Sequence, residues 1–271
     1  MSTDSPERDP DGSVVGTTVD DHIWHVVVDR AEKRNAFTPV MLSQLAQALT
    51  ELDDRPELFV GVLSFAGDHS TAGLDMPKVF GSDSPALQSD GLVDPFGLGR
   101  RLRKPLITAL HGLTYTVGIE LALAGDIVVA AADAQLCQIE PRRGLAAFGG
   151  ATLRYTQRGG WGNGMYHLLR ADRFDAQEAY RVGIVQEVVD VGTDTTRALE
   201  IARELLGCSP LALQLTIENA RLAEQQGHGA AAAAIPAMAR TALASADFQE
   251  GIASFVERRD AVFTGRPTPN A

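Results

Sequence analysis

Two glutamates stand out as groups that could move protons. Glu120 lies in Gly118-Ile119-Glu120-Leu121-Ala122-Leu123, where almost every neighbour is apolar. A carboxylate taken out of water without a partner is costly, or it takes up a proton instead. Glu120 is therefore either half of a buried ion pair or an acid held in a pocket. Glu140 follows in Gln138-Ile139-Glu140-Pro141-Arg142-Arg143, whose spacing also allows a simple pairing with Arg142 or Arg143. Two carboxyl groups in different, partly desolvated surroundings can divide general-acid and general-base work between them.

A second kind of chemistry resides in the backbone. With Thr116 as N-cap, the N–H groups of Val117 and Gly118 have no intrahelical acceptor and sit at the positive end of a helix. Ala72-Gly73-Leu74-Asp75 is another small-residue turn able to expose an N–H. Such donors can hold an oxygen on which negative charge develops. Competing chemistries have less support: the chain has no GxGxxG after a strand, no Walker A, no GxSxG and no HExxH. The histidines at 22, 25, 69, 111, 167 and 228 lack metal-ligand spacing, and His111 reads as a packed residue. The basic run Arg100-Arg101-Leu102-Arg103-Lys104 reads as a solvated helix face that could also meet a phosphate.

These groups need a scaffold. Ile23 to Val28, Phe59 to Phe65, Lys104 to Leu110, Ile127 to Ala131 and Val185 to Val189 read as strands, with a short one near Leu136-Cys137. Thr38-Pro39 opens a helix to about Leu52, with apolar residues at Met41, Leu42, Leu45 and Leu49. Residues 77–98 are rich in turn formers. From about Gly160 the chain is mostly helical, with helices expected over 195–226, 229–246 and 247–260. The reading is α/β, divided into a disordered acidic tail (1–20), a core carrying the site (21–195) and a helical C-terminal region (196–271).

Bulk properties narrow the functional classes. The 271 residues carry a formal net charge of −11, which disfavours binding to nucleic acid through a general basic face. Two cysteines, Cys137 and Cys208, are too few for a disulfide framework and read as free thiols in a reducing compartment. The first twenty residues lack the pattern of a signal peptide, and no apolar run is long enough for a membrane span. A cytoplasmic protein without membrane contact is expected.

The order of the pieces carries a resemblance. Asp29 to Phe37 (DRAEKRNAF), Ala72 to Met76 (AGLDM), Lys104 to Gly112 (KPLITALHG), Gly118 to Leu123 (GIELAL), Gln138 to Glu140, Gly183 to Val189 and Phe248 to Arg259 together resemble the crotonase, or enoyl-CoA hydratase/isomerase, superfamily. The resemblance runs from about Ile23 to Arg266. It implies a spiral of ββα units with a helical C-terminal region, assembled as a homotrimer or a dimer of trimers. It also implies an acyl-CoA thioester as ligand, with no metal or redox cofactor and coenzyme A entering as part of the substrate.

Residue by residue, the resemblance places the N–H groups of Leu74 and Val117 on the thioester oxygen. It places Glu120 and Glu140 astride a double bond, as in the hydratases. Lys33, Arg34, Ala36, Ala72, Asp75 and Met76 would surround the CoA moiety, and Phe255 and Arg258 would close over it. Three departures from the family pattern bear on the pocket. Thr116-Val117 stands where hydratases carry glycines, Ile139 replaces a proline before the second glutamate, and Phe148 adds bulk near the reacting carbons. The expected activity is hydration of a 2-enoyl-CoA. Double-bond isomerisation, acyl-CoA hydrolysis and CoA binding without catalysis remain as alternatives.

Overall fold

A computed structural model describes residues 11–81 and 91–265. The chain opens with a hairpin of β1 (Ser13–Val19) and β2 (Ile23–Asp29), paired antiparallel from Ser13↔Asp29 to Val19↔Ile23. Its turn is made by Asp20 and Asp21, both at positive φ, the backbone that a tight right-twisting hairpin demands. Part of the segment expected to be a disordered tail is therefore a strand; residues 1–10 lie outside those described. Burial supplies the reason. Val14 packs into the core, and the Trp24 indole lies so close to Gly16 that a Cβ there would stand 2.1 Å from Trp24 Cζ2.

The hairpin leads to α1 (Pro39–Asp54), capped by Thr38, whose hydroxyl accepts from the Met41 N–H. β3 (Val60–Phe65), the short α2 (Met76–Phe80), β4 (Leu106–Leu110) and β5 (Leu113–Tyr115) follow. Then come α3 (Val117–Ala124), β6 (Ile127–Ala131), β7 (Gln135–Cys137) and α4 (Ala151–Arg170). α4 is broken at Gly160 (φ 72°), so the expected helix start there is a kink inside a longer helix. β8 (Phe174–Asp175), α5 (Ala176–Arg181) and β9 (Glu187–Val189) complete this part.

The main sheet has the order β1-β2-β3-β4-β6-β9, parallel from β2 onward. Its strands read as unbroken apolar runs because both faces are covered. Leu63, Phe65, Leu106, Leu110, Val128 and Ala130 join the larger core with α1 and α3. Val60, Val62, Ile107, Ala109 and Val129 meet Ala198, Ile201 and Ala202 of α6 (Asp194–Leu206) on the other face. A second sheet, β5-β7-β8, flanks α3.

The boundary expected between 195 and 196 falls inside α6, which belongs to the core by its packing. The C-terminal region also holds one helix more than expected. Gly207 ends α6, and Ser209 caps α7 (Pro210–Gln226) by accepting from the Ala212 N–H. α8 (His228–Leu243) packs on α7, and α9 (Ala246–Glu257) follows. These last three helices bury little, leaving Ile235, Leu243, Phe248, Ile252, Phe255 and Val256 exposed.

The basic run is not a helix face. Arg100 and Arg103 clamp buried Asp53, at 2.8 and 3.0 Å. Lys104 is buried and donates to the carbonyls of Leu52 and Arg55 at the end of α1. Its cation thereby satisfies the last turn of that helix. His111 is packed as expected, its imidazole 3.0 Å from Asp194 and 3.1 Å from the Gly67 carbonyl.

Candidate active site

One cavity of about 620 Å³ gathers most of the residues singled out above. Arg34, Ala72, Leu74, Met76, Val117, Glu120, Ile139, Glu140 and Phe148 all line it.

Glu120 is on α3, a helix buried on nearly all sides, and is only 4% exposed. Its Oε1 accepts from the Ala151 N–H at 3.1 Å, at the start of α4. Gly149 permits this approach, since a Cβ there would stand 2.5 Å from Glu120 Oε2. Burial raises the Glu120 pKa, while the amides of Ala151 and Gly149 and the charge of Arg154 pull it back. Arg154 does not pair with the carboxylate; it donates to the carbonyls of Gly149 and Phe96 and so fixes the loop that holds Glu120.

Glu140 begins a 3-10 turn directly after β7. Its Oε1 accepts from Gln138 Nε2 at 3.0 Å, and its Oε2 is buried with no partner among the described residues. The simple pairing with Arg142 does not form: that guanidinium donates to the carbonyls of Ala171 and Arg170. Arg143 instead lines the cavity. Burial pushes the Glu140 carboxyl up to about 7, and the nearby charge of Glu120 adds to the rise. The two acids are thus unlike: Glu120 is held by the amides of Ala151 and Gly149, whereas Glu140 keeps Gln138 and its own amide but has one oxygen without a partner among the described residues.

Leu74 and Val117, the residues whose N–H groups were singled out, line the same cavity. A parallel bridge joins Phe37 to Leu74 through Phe37 N–H to Gly73 O and Asp75 N–H to Phe37 O. This pattern turns the Leu74 N–H away from the bridge. Val117 opens α3, so its N–H has no partner one turn back. Among the described residues neither N–H meets an acceptor.

Thr116 holds the expected N-cap position, and its carbonyl accepts from the Ile119 and Glu120 N–H groups. Its side chain makes no capping bond, its φ is +47°, and its own N–H goes to Cys137 O. A left-handed backbone at a β-branched residue is strained, and here it aims the start of α3 at the cavity. The two donor loops are locked together. Thr71 bridges Thr114, the Gly73 N–H donates to Thr71 Oγ1 at 3.0 Å, and Thr71 Oγ1 donates to Asn35 O at 2.7 Å. Asn35 in turn ties down the carbonyls of Ala66 and His69.

Other expected residues lie elsewhere. Asp75 caps α2 and pairs with Arg30 at 2.9 Å. Lys33 and Ala36 do not line the cavity. Phe255 is 85% exposed on α9 and borders a separate groove with Phe248, Ile252 and Phe263. Arg258 is the exposed C-cap of that helix. The Val117 side chain packs into the core at 2% exposure, and Phe148 is 67% exposed at the cavity wall.

The sequence reading missed Tyr115, Arg143 and Arg173, which line the cavity, and the supporting roles of Asn35, Thr71 and Arg154. Asn35 carried a faint signal, since asparagine tolerates the positive φ it adopts. Among the described residues no group of three or more His, Cys, Asp or Glu could hold a metal ion, and no helix is long and apolar enough to cross a membrane.

The pattern of the enoyl-CoA hydratase/isomerase family matches residues 18–266. The chain is similar to enoyl-CoA hydratase EchA19 of Mycobacterium tuberculosis, with 29% identity over 90% of this chain and 94% of that protein. It is equally similar to 1,2-epoxyphenylacetyl-CoA isomerase of Escherichia coli K12, with 29% identity over 92% and 97%. Among solved structures, a probable enoyl-CoA hydratase/isomerase from Mycobacterium abscessus matches with a TM-score of 0.89 and 41% identity, covering 94% of this chain and 99% of that one.

Proposed function

The chain belongs to the enoyl-CoA hydratase/isomerase family, and from that premise we propose that it adds water across the C2=C3 bond of a 2-enoyl-CoA thioester. The observation that carries this reading is the pair of unlike glutamates in one cavity with two unpartnered backbone N–H groups. The thioester oxygen accepts from the Leu74 and Val117 N–H groups. As the nucleophile adds at C3, charge moves onto that oxygen, where fixed donors are worth most.

Glu120, its carboxylate steadied by Ala151, takes the proton from water as the oxygen attacks C3. Glu140, with a pKa near the working pH, gives its proton to C2. The net change is OH on C3 and H on C2. Neither step calls for a metal or redox group. Arg34, Arg143 and Arg173 supply positive charge along the cavity for the CoA phosphates. A homotrimer, or a dimer of trimers, would cover the apolar residues left open on α8 and α9.

Isomerisation is the second reading, supported by the similarity to the epoxyphenylacetyl-CoA isomerase. One acid with a pKa near 7 is enough to carry a proton between two carbons. Binding without catalysis has less support, because the cavity stays open beside Val117 and Phe148. The test is a set of 2-enoyl-CoA thioesters followed by loss of enoyl absorbance and product mass. A gain of one water in the product supports hydration. An isomeric product of unchanged mass replaces it with the second reading.

A further inference from the structure

Three members of the basic run are taken up at the end of α1, but Arg101 is not. It lines a cleft of about 140 Å³ formed by the end of α3, the first half of α4 and α7. Arg154, Arg158 and Arg221 stand in the same cleft with Asp126 and Glu224. Four guanidinium groups therefore face two carboxylates, an excess of two positive charges on a chain whose net charge is −11.

The internal bonds do not use up this charge. Arg221 pairs with Asp126 at 3.1 Å, while Arg101 reaches Glu224 only at 3.5 Å. Arg158 and Arg154 donate to backbone carbonyls rather than to carboxylates. Arg101 Nε is buried with no partner among the described residues. A Cβ on Gly97 would stand 3.2 Å from Arg154 Nη2 and 3.5 Å from Arg101 Nε, so two like charges flank one glycine. Burial holds Arg154, Arg158 and Arg221 below the usual guanidinium range, although neighbouring carboxylates raise each of them in part.

We propose that this cleft binds a tetrahedral oxyanion, a phosphate or phosphoryl group, gripped by Arg101 and Arg158 and neutralised by the arginine excess. Guanidinium donors match such oxygens in pairs, and a dianion cancels the surplus charge. The volume leaves room for the anion and a few waters, each occupying about 30 Å³. No residue lines both this cleft and the cavity of the glutamates. Arg154 nevertheless links them, since it fixes the Gly149 and Phe96 carbonyls beside Glu120. An anion competing for Arg154 would reach the loop that positions the acid.

The test is calorimetric titration of the full chain with inorganic phosphate, and separately with 3′,5′-ADP, against chloride at equal ionic strength. Saturable binding at one cleft site per chain is expected. Arg101→Gln should weaken it on the order of ten-fold, and Glu224→Gln should strengthen it by removing a competing carboxylate. Arg203→Gln, on the exposed side of α6 where the guanidinium pairs with Asp20, should leave phosphate binding unchanged. Binding of 3′,5′-ADP but not phosphate, still sensitive to Arg101→Gln, assigns the phosphoryl group to a nucleotide. The proposal is overturned if neither probe saturates, or if binding survives Arg101→Gln, with circular dichroism showing the variant folded.

Discussion

The Ala151 N–H donates to Glu120 Oε1 at 3.1 Å, joining residues thirty-one positions apart in the chain. The donor is the first residue of α4, so the positive end of one helix meets the acid of another. Glu140 is held by Gln138 and its own amide, but its other oxygen has no partner among the described residues and burial pushes its carboxyl up to about 7. This asymmetry, rather than the mere presence of two acids, assigns base to one and acid to the other in the proposed reaction.

Replacing either acid by its amide should therefore be severe. Glu120→Gln and Glu140→Gln should each lower kcat for hydration by about 10²–10⁴, with KM within a few-fold. Steady-state kinetics on a 2-enoyl-CoA checks this. Near-normal turnover in one variant rules out paired-acid hydration and fits the isomerisation reading.

The pH dependence follows from the direction of the shifts. Hydration needs Glu120 ionised and Glu140 protonated, so the rate should fall on the alkaline side as Glu140 ionises around pH 7. Stability carries the same sign. The folded carboxyl holds its proton more tightly than the unfolded one, so its contribution is fully present below about 4.5 and is lost as pH rises through about 7. Relative to the parent protein, Glu140→Gln should thus gain stability between pH 5 and pH 8. Urea midpoints at the two pH values measure it, and an equal difference at both contradicts the raised pKa.

Gly73 is a steric hinge of the donor pair. Its φ is +105°, and a Cβ there would stand 2.5 Å from Thr116 Oγ1. Gly73→Ala should displace the Leu74 N–H and cost about 10²–10³ in kcat. The strained backbone should also cost about 1–3 kcal/mol of stability. A variant with full activity would show that the Leu74 N–H takes no part.

Val117 should behave as a core residue whose amide, not side chain, meets the ligand. Val117→Gly removes a buried side chain and places glycine in a helix, for a loss of about 2–3 kcal/mol. Catalysis per folded molecule should change less than ten-fold, since the N–H remains. Chemical denaturation and active-site titration separate the two effects; unchanged stability would contradict the packing.

The sequence by itself determined which two glutamates to single out, the run of strands β2, β3, β4, β6 and β9 that makes the parallel part of the main sheet, and the small-residue turn at Ala72-Gly73-Leu74. These are local facts, set by residue type, apolar runs and turn formers along a short stretch of chain. It also identified the family through motifs in a fixed order. Only the tertiary structure decided that Ser13–Val19 pairs with β2, because Gly16 and Trp24 show their complementarity only when the strands meet. The same holds for the separation of Asp75 from the cavity, which follows from its contact with Arg30 forty-five residues away. The different surroundings of Glu120 and Glu140 belong here too, being made in part by Ala151 and Arg154 of a distant helix and by Gly149 in the loop before it. A side chain's protonation depends on what surrounds it in space, and neighbours from distant parts of the chain are what folding supplies.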